Sequence, residues 1–282
     1  MSIANSGVLA NISLSVWTGR KLDRAVSEEV DLAKSTNTRA GNYHKNLFAG
    51  VTELEQVKTV AGKIRNWHVK QTLPWADSGE RLLPMSNFMD YKRDLSVLES
   101  EFNTAVENFC TKYSVLIAAQ AFQLGALFNR DEYPHPGMIA TKFNLSYTFS
   151  PVPDVGDWRV TADDAIKSEL ARQYEQAYAD RLNNVTKDLW ERLHGCLTHM
   201  QGRLTVSADG KKTIFRDSML ENAAELCGLL TRLNVTNDPK LEHARKSLEA
   251  TIMGLDAKDL RDADGARVEV KSKIDEILKF MD

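Results

Sequence analysis

Apolar residues recur along this chain in two rhythms, and the switches between them mark the elements. Ile12, Leu14 and Val16 alternate with Asn11, Ser13 and Ser15. A period of two predicts a half-buried strand near 11–17, closed by Trp17 and Gly19. From Lys21 the spacing widens to three and four through Leu22, Val26, Val30 and Ala33, which predicts a helix to about Thr36. The polar run "STNTRAGN" breaks it. A second helix follows Val51, Leu54, Val57, Val60 or Ala61, Ile64 and Trp67, and ends before Pro74 because the residue preceding proline avoids the α region. After a connector, Asn87 and Asp90 stand at the spacing of a capping pair. Leu95, Leu98, Phe102, Val106, Phe109, Tyr113 and Leu116 then hold one helical line that can run to Phe128. Some ~40 residues of helix would span roughly 60 Å.

"NRDEYPHPGM" ends that helix, and Phe143, Leu145, Tyr147 and Phe149 alternate with polar residues in the clearest strand of the chain, over 142–150. "SPVPDVGD" reads as a rigid turn and "WRV" as a third short strand. A lone strand leaves its backbone groups without partners, so the two main strands are expected to pair. Thr161 to Asp164 has the [ST]-x-x-[DE] capping spacing. A second long helical line runs from Ile166 through Leu170, Tyr174, Val185, Leu189, Leu193 and Met200 to Leu204. "SADGKK" is a turn, Met219 to Leu233 another helix, and Asp238-Pro239 begins the next, with proline at the tolerated first position. Two shorter helical patterns reach Phe280.

The fold class is therefore mostly α with a minor β part. Two long helices of similar length most simply form an antiparallel hairpin in an elongated bundle, with a small antiparallel sheet at one end. Residues 1–210 would carry the bundle and the sheet, and 211–282 a group of short helices packed on it. Gly125, Gly195 and Gly202 are the weak points of the long helices.

Charge narrows the choice of partner. The 282 residues carry a net charge of −3, so the chain is no general polycation. Cys110, Cys196 and Cys227 all fall in helical patterns without a CxxC, as expected of buried thiols in a reducing cytoplasm. The first residues lack a basic, then apolar, leader pattern. No stretch approaches the ~20 apolar residues of a membrane span.

Candidate chemistry is sparse. His194, Cys196 and His199 in "HGCLTH" cannot converge on one metal ion if the segment is helical, so no metal or cofactor is expected. Asp154, Asp157, Asp163 and Asp164 could serve acid–base or Mg²⁺ chemistry, but they also stand where a helix start favours acids. Phosphate-binding loops and nucleophile motifs are absent. The basic stretch "QVKTVAGKIRNWHVKQTLPW" offers Lys58, Lys63, Arg65 and Lys70 with two tryptophans. It is either a nucleic-acid face or an ordinary solvated helix surface. In the connector, Trp75, Arg81, Met85 and Phe88 either plug the bundle end or dock a partner, since such residues are enriched at interfaces.

The stretches "TLPWADSGERLLPMSNFMDYKRDLSVLESEF", "FSPVPDVGDWRV", "LWERL" and "FRDSMLENAAEL" resemble a family of uncharacterised proteins from bacteriophage and prophage genomes. The resemblance implies no catalytic residues. It implies a neighbouring MoxR-like AAA+ ATPase, and a von Willebrand-type protein, as possible partners. The expected function is a non-enzymatic assembly or adaptor protein in the host cytoplasm, working with such an ATPase or as a homo-oligomer. The alternatives are a nucleic-acid-binding accessory of phage replication or recombination, and an inhibitor of a host defence system. A membrane-acting protein fits poorly.

Overall fold

Why each segment takes its form is clearest in chain order, in a computed structural model that describes residues 6–76, 79–153, 164–205 and 213–281, with the backbone alone at 164–167 and 262. The acidic group at 154–164, the "WRV" strand, the Thr161 cap and the turn at 207–212 lie outside the described side chains. Strand β1 (Gly7–Ser15) starts earlier than its alternation suggests. Leu22 belongs to a strand, β2 (Arg20–Asp23), rather than to the helix expected from Lys21. The helix α1 (Arg24–Ala33) starts only where the Asp23 carboxylate accepts from the Val26 N–H. Past the polar breaker, β3 (Tyr43–Asn46) pairs antiparallel with β2, in register Leu22 to His44. The helix α2 (Thr52–Gln71) follows, as predicted.

The connector is not a plain loop. It forms two short strands, β4 (Leu73–Pro74) and β5 (Arg81–Pro84). The helix α3 (Met85–Leu124) then runs 40 residues and stops at Gly125, whose φ of +50° suits a residue without Cβ. Its start is not the expected Asn87 cap. Asn87 is buried, and its amide donates to the backbone oxygen and the side-chain oxygen of Gln71, both at 3.0 Å. Short 3-10 turns and α4 (Pro136–Ile139) lead to β6 (Asn144–Pro151). The helix α5 (Asp164–Leu204) spans 41 residues. It is followed by α6 (Asp217–Leu233), α7 (Pro239–Ile252), α8 (Ala257–Asp262) and α9 (Asp264–Met281). Asp238 caps α7 as its Asp-Pro signature indicates, accepting from the N–H groups of Lys240 and Leu241. The main sheet has the strand order β4-β5-β1-β6, so the expected pairing of the two principal strands is present.

The chain divides into two units, each built from separate stretches. One comprises 1–11, 69–91 and 148–282, and the other 12–68 and 92–147. The expected boundary at 210 falls inside the first. The predicted hairpin of the long helices is not what buries their seams. In the second unit, α3 places Leu98, Phe102, Phe109 and Tyr113 in one core with Leu54, Val57 and Ile64 of α2. In the first, α5 places Val185, Leu189, Leu193 and Leu197 in another core, with residues of α6, α7 and α9. Each seam found a shorter local partner, which helix-packing rules satisfy as well as a hairpin.

Polar groups finish each core. In the second unit, Phe48, Phe109, Tyr113 and Tyr133 meet edge-to-face or tilted at centroid distances of 5.4 to 5.7 Å. The buried Lys45 ammonium lies 3.0 Å from Asp23 and 2.8 Å from Glu132, and it donates to the Leu127 carbonyl at 2.9 Å. Burial opposes its charge, yet Glu132 and Asp23 outweigh that and raise its pKa. In the first unit, Arg267 is 2% exposed. Its guanidinium donates to the carbonyls of Leu204 at 2.8 Å, Thr213 at 2.9 Å, Leu260 at 3.4 Å and Arg203. It thereby satisfies the open C-terminal carbonyls of α5.

Candidate functional site

The connector residues serve the core more than the surface. Trp75 is 5% exposed, packs edge-to-face on Tyr178 at 5.7 Å and lies under the Arg181 guanidinium at 5.6 Å. Phe88 is half-buried against Phe149, with centroids 5.3 Å apart. Arg81 turns to the end of α2. It donates to the Thr72 hydroxyl at 2.7 Å and to the carbonyls of Thr72 and Val69. Arg192 of α5 reaches the same end, donating to Lys70, Val69 and Thr72 carbonyls at 2.6 to 3.0 Å. Two guanidiniums thus cover the negative end of a helix. Asp188 balances them, 2.8 Å from Arg192. Burial pushes the Asp188 carboxyl up, against the pull of Arg192 and Arg81.

Trp75, Arg81 and Phe88 thus pack as the plug reading expects, with Arg81 and Phe88 each keeping a part in solvent. Met85 differs, being 50% exposed, and Met89 one turn on is 78% exposed.

The basic segment is also engaged. Lys58 pairs with Glu55 at 2.8 Å, Lys63 with Glu101 at 2.6 Å and Lys70 with Glu225 at 3.2 Å. Arg65 donates to the Leu14 carbonyl at 3.0 Å. Trp67 is half-buried against the core of the second unit. Exposed ion pairs are weak and phosphates could displace them, but each of these three lysines has an acid beside it.

A different surface was missed. The outer line of α3 in the second unit reads Val97, Ser100, Thr104, Asn108, Thr111, Val115, Ala118 and Phe122. Steps of three and four put these on one face, opposite the buried seam. The line carries no charge over roughly 38 Å of helix. Phe122 is 94% exposed, Val115 73% and Val97 64%. A shallow groove of about 960 Å³ runs beside it, walled by Gln56 of α2 and by Ser96, Ser100 and Thr104, with Arg93 and Glu101 at its edge. The signal was present as a second 3–4 spacing on the same helix. It was overlooked because serine and threonine dilute it.

Among the described residues, no group of three or more His, Cys, Asp or Glu is placed to hold a metal ion, and no helix is long and apolar enough to cross a membrane. His194 and His199 are exposed on α5, with Cys196 half-buried between them. Burial raises the pKa of all three thiols, Cys227 to about 11.

No family model matches the chain, and neither a curated protein nor a solved structure does.

Proposed function

We propose that this protein is a non-enzymatic helical assembly protein that acts by protein–protein association, with the outer line of α3 as its contact surface. The carrying observation is the exposure of Phe122, Val115 and Val97 along one face of α3. Isolated exposed apolar residues are ordinary, but a linear series at helical spacing suits a facing helix. Burying Phe122 and Val115 would contribute about 3–6 kcal/mol, enough to offset part of the cost of association. The phage-family resemblance adds a MoxR-like AAA+ ATPase to a second copy of the chain as the partners to try.

The test is light scattering coupled to size exclusion over a hundredfold concentration range, with and without such an ATPase, for the native chain and for Val115→Glu/Phe122→Glu. Association by the native chain that the double variant lacks, with an unchanged circular-dichroism melt, supports the reading. Association unaffected by the double variant rejects α3, and a chain that associates with neither rejects the reading. Short duplex DNA at two salt concentrations belongs in the same series. A salt-sensitive shift lost on changing Lys63, Arg65 and Lys70 would favour the nucleic-acid alternative instead.

A further inference from the structure

A second cavity, in the first unit, has a different character. It lies where the last turns of α5 meet the start of α6 and has a volume of about 240 Å³. Its apolar side is formed by Met200, which is 1% exposed, and by the half-buried Met219. Its other walls carry Arg203 and Arg216, with His199, Ser218 and Asn222. Among the described residues, neither arginine has an ion-pair partner. Asp217, next to Arg216 in the chain, lies 3.7 Å from Arg261. Two guanidiniums beside an apolar surface suit a ligand with an anionic head and an apolar body.

We propose that this cavity binds a small organic oxyanion, with a phosphate or carboxylate head held by Arg203 and Arg216 and an apolar portion against Met200 and Met219. Guanidinium is the side chain best matched to oxyanions, because its N–H groups form a planar fork that donates in pairs. Ser218 and Asn222 add neutral donors and His199 a further ring nitrogen. The first turn of α6 also lacks a side-chain cap, since no side chain accepts its N–H groups at Arg216. The volume is small for a ligand pocket and suits one ring or a short chain rather than a nucleotide.

The site is separate from the outer line of α3 and does not depend on the assembly reading. Phenyl phosphate, benzoate, inorganic phosphate and benzyl alcohol serve as probes in calorimetric titration of the full chain. The expected order is phenyl phosphate or benzoate tightest, inorganic phosphate at least tenfold weaker, and benzyl alcohol without saturable binding. Arg203→Gln and Arg216→Gln each weaken the organic anions at least tenfold. Both side chains are exposed, so the variants should keep the native melt. Raising salt should weaken binding to the native chain, a readout that needs no variant. Absence of saturable binding by either organic anion at millimolar concentration overturns the proposal. So does binding that ignores both substitutions and salt, or benzyl alcohol binding as tightly as phenyl phosphate.

Discussion

Replacing Arg267 with methionine tests the central energetic claim about the first unit. Methionine keeps an unbranched apolar stem of similar reach, so packing changes little and the polar head is removed almost alone. The guanidinium is buried and donates to four backbone carbonyls. Hydrogen bonds from a charged donor contribute about 1.5–3 kcal/mol each, so their simple sum is about 6–12 kcal/mol. Two corrections reduce it. The variant no longer has to desolvate a cation, and the carbonyls near the end of α5 regain some water. A net loss of about 3–5 kcal/mol is expected, a large part of the ~5–15 kcal/mol that holds a typical domain.

Hydrogen exchange read by mass spectrometry locates the effect, beside urea unfolding for its size. Amides of α5, α6, α8 and α9 should lose protection, while those of α2 and the central turns of α3 keep theirs. Arg267→Lys should fall between, since a lysine retains charge but cannot reach four carbonyls in a plane. Lys187→Ala, which breaks an exposed pair with Glu191, should change stability by about 0.5 kcal/mol or less. An Arg267→Met protein within about 1 kcal/mol of the native chain, or one more stable, would show that the cost of burying the charge cancels its bonds.

Other outcomes follow from the same geometry. Trp75→Ala should cost about 3–5 kcal/mol through its lost core packing, whereas Met89→Glu on the exposed face should stay within about 0.5 kcal/mol; equal melting temperatures for the two would refute the plug. The Lys45 hydrogen bond lowers the pKa of Asp23 from 3.8, so its stabilisation is present above that value and lost as pH falls through the lower folded one. Lys45 is raised from 10.5, so its contribution is present below that value and lost as pH rises through the higher folded one; Lys45→Met should flatten both limbs, and parallel pH–stability curves would contradict this. Native Cys227, buried and pushed up to about 11, should resist alkylation at pH 8 until urea exposes it; prompt labelling of the folded chain would disprove its burial.

What the sequence disclosed depended on whether the deciding interaction was local. β6 was legible because Leu145, Tyr147 and Phe149 are half-buried while Asn144, Ser146 and Thr148 face solvent, so alternation and burial coincide. The start of α7 was legible because Asp238 caps its own helix. The β2–β3 ribbon was not. It has few apolar residues, and its buried Lys45 is matched by Glu132, which is far away in the chain. Strands of two and four residues, as in β4 and β5, are too short for any period to register. The partners of Arg81 were not legible for a related reason. Interface statistics favour arginine in general, but its partners at Val69 and Thr72 are carbonyls, which sequence composition does not reveal. The charge-free line on α3 was legible in principle. It needed a search for a second face on a helix already assigned its first.

The alternation of the chain between the two units has a consequence for biosynthesis. Every segment of the second unit has been made once residue 147 emerges, while the first still lacks α5 to α9, which supply most of its core. At translation speeds of about 5–20 residues per second, the remaining residues take on the order of ten seconds. During that interval Leu82 and Leu73, both destined for the later core, have no partners from α5 to α9. The same interleaving means that no single cut of the polypeptide separates the two units intact, so a fragment of the second unit must lose the internal stretch 69–91 as well as both flanks.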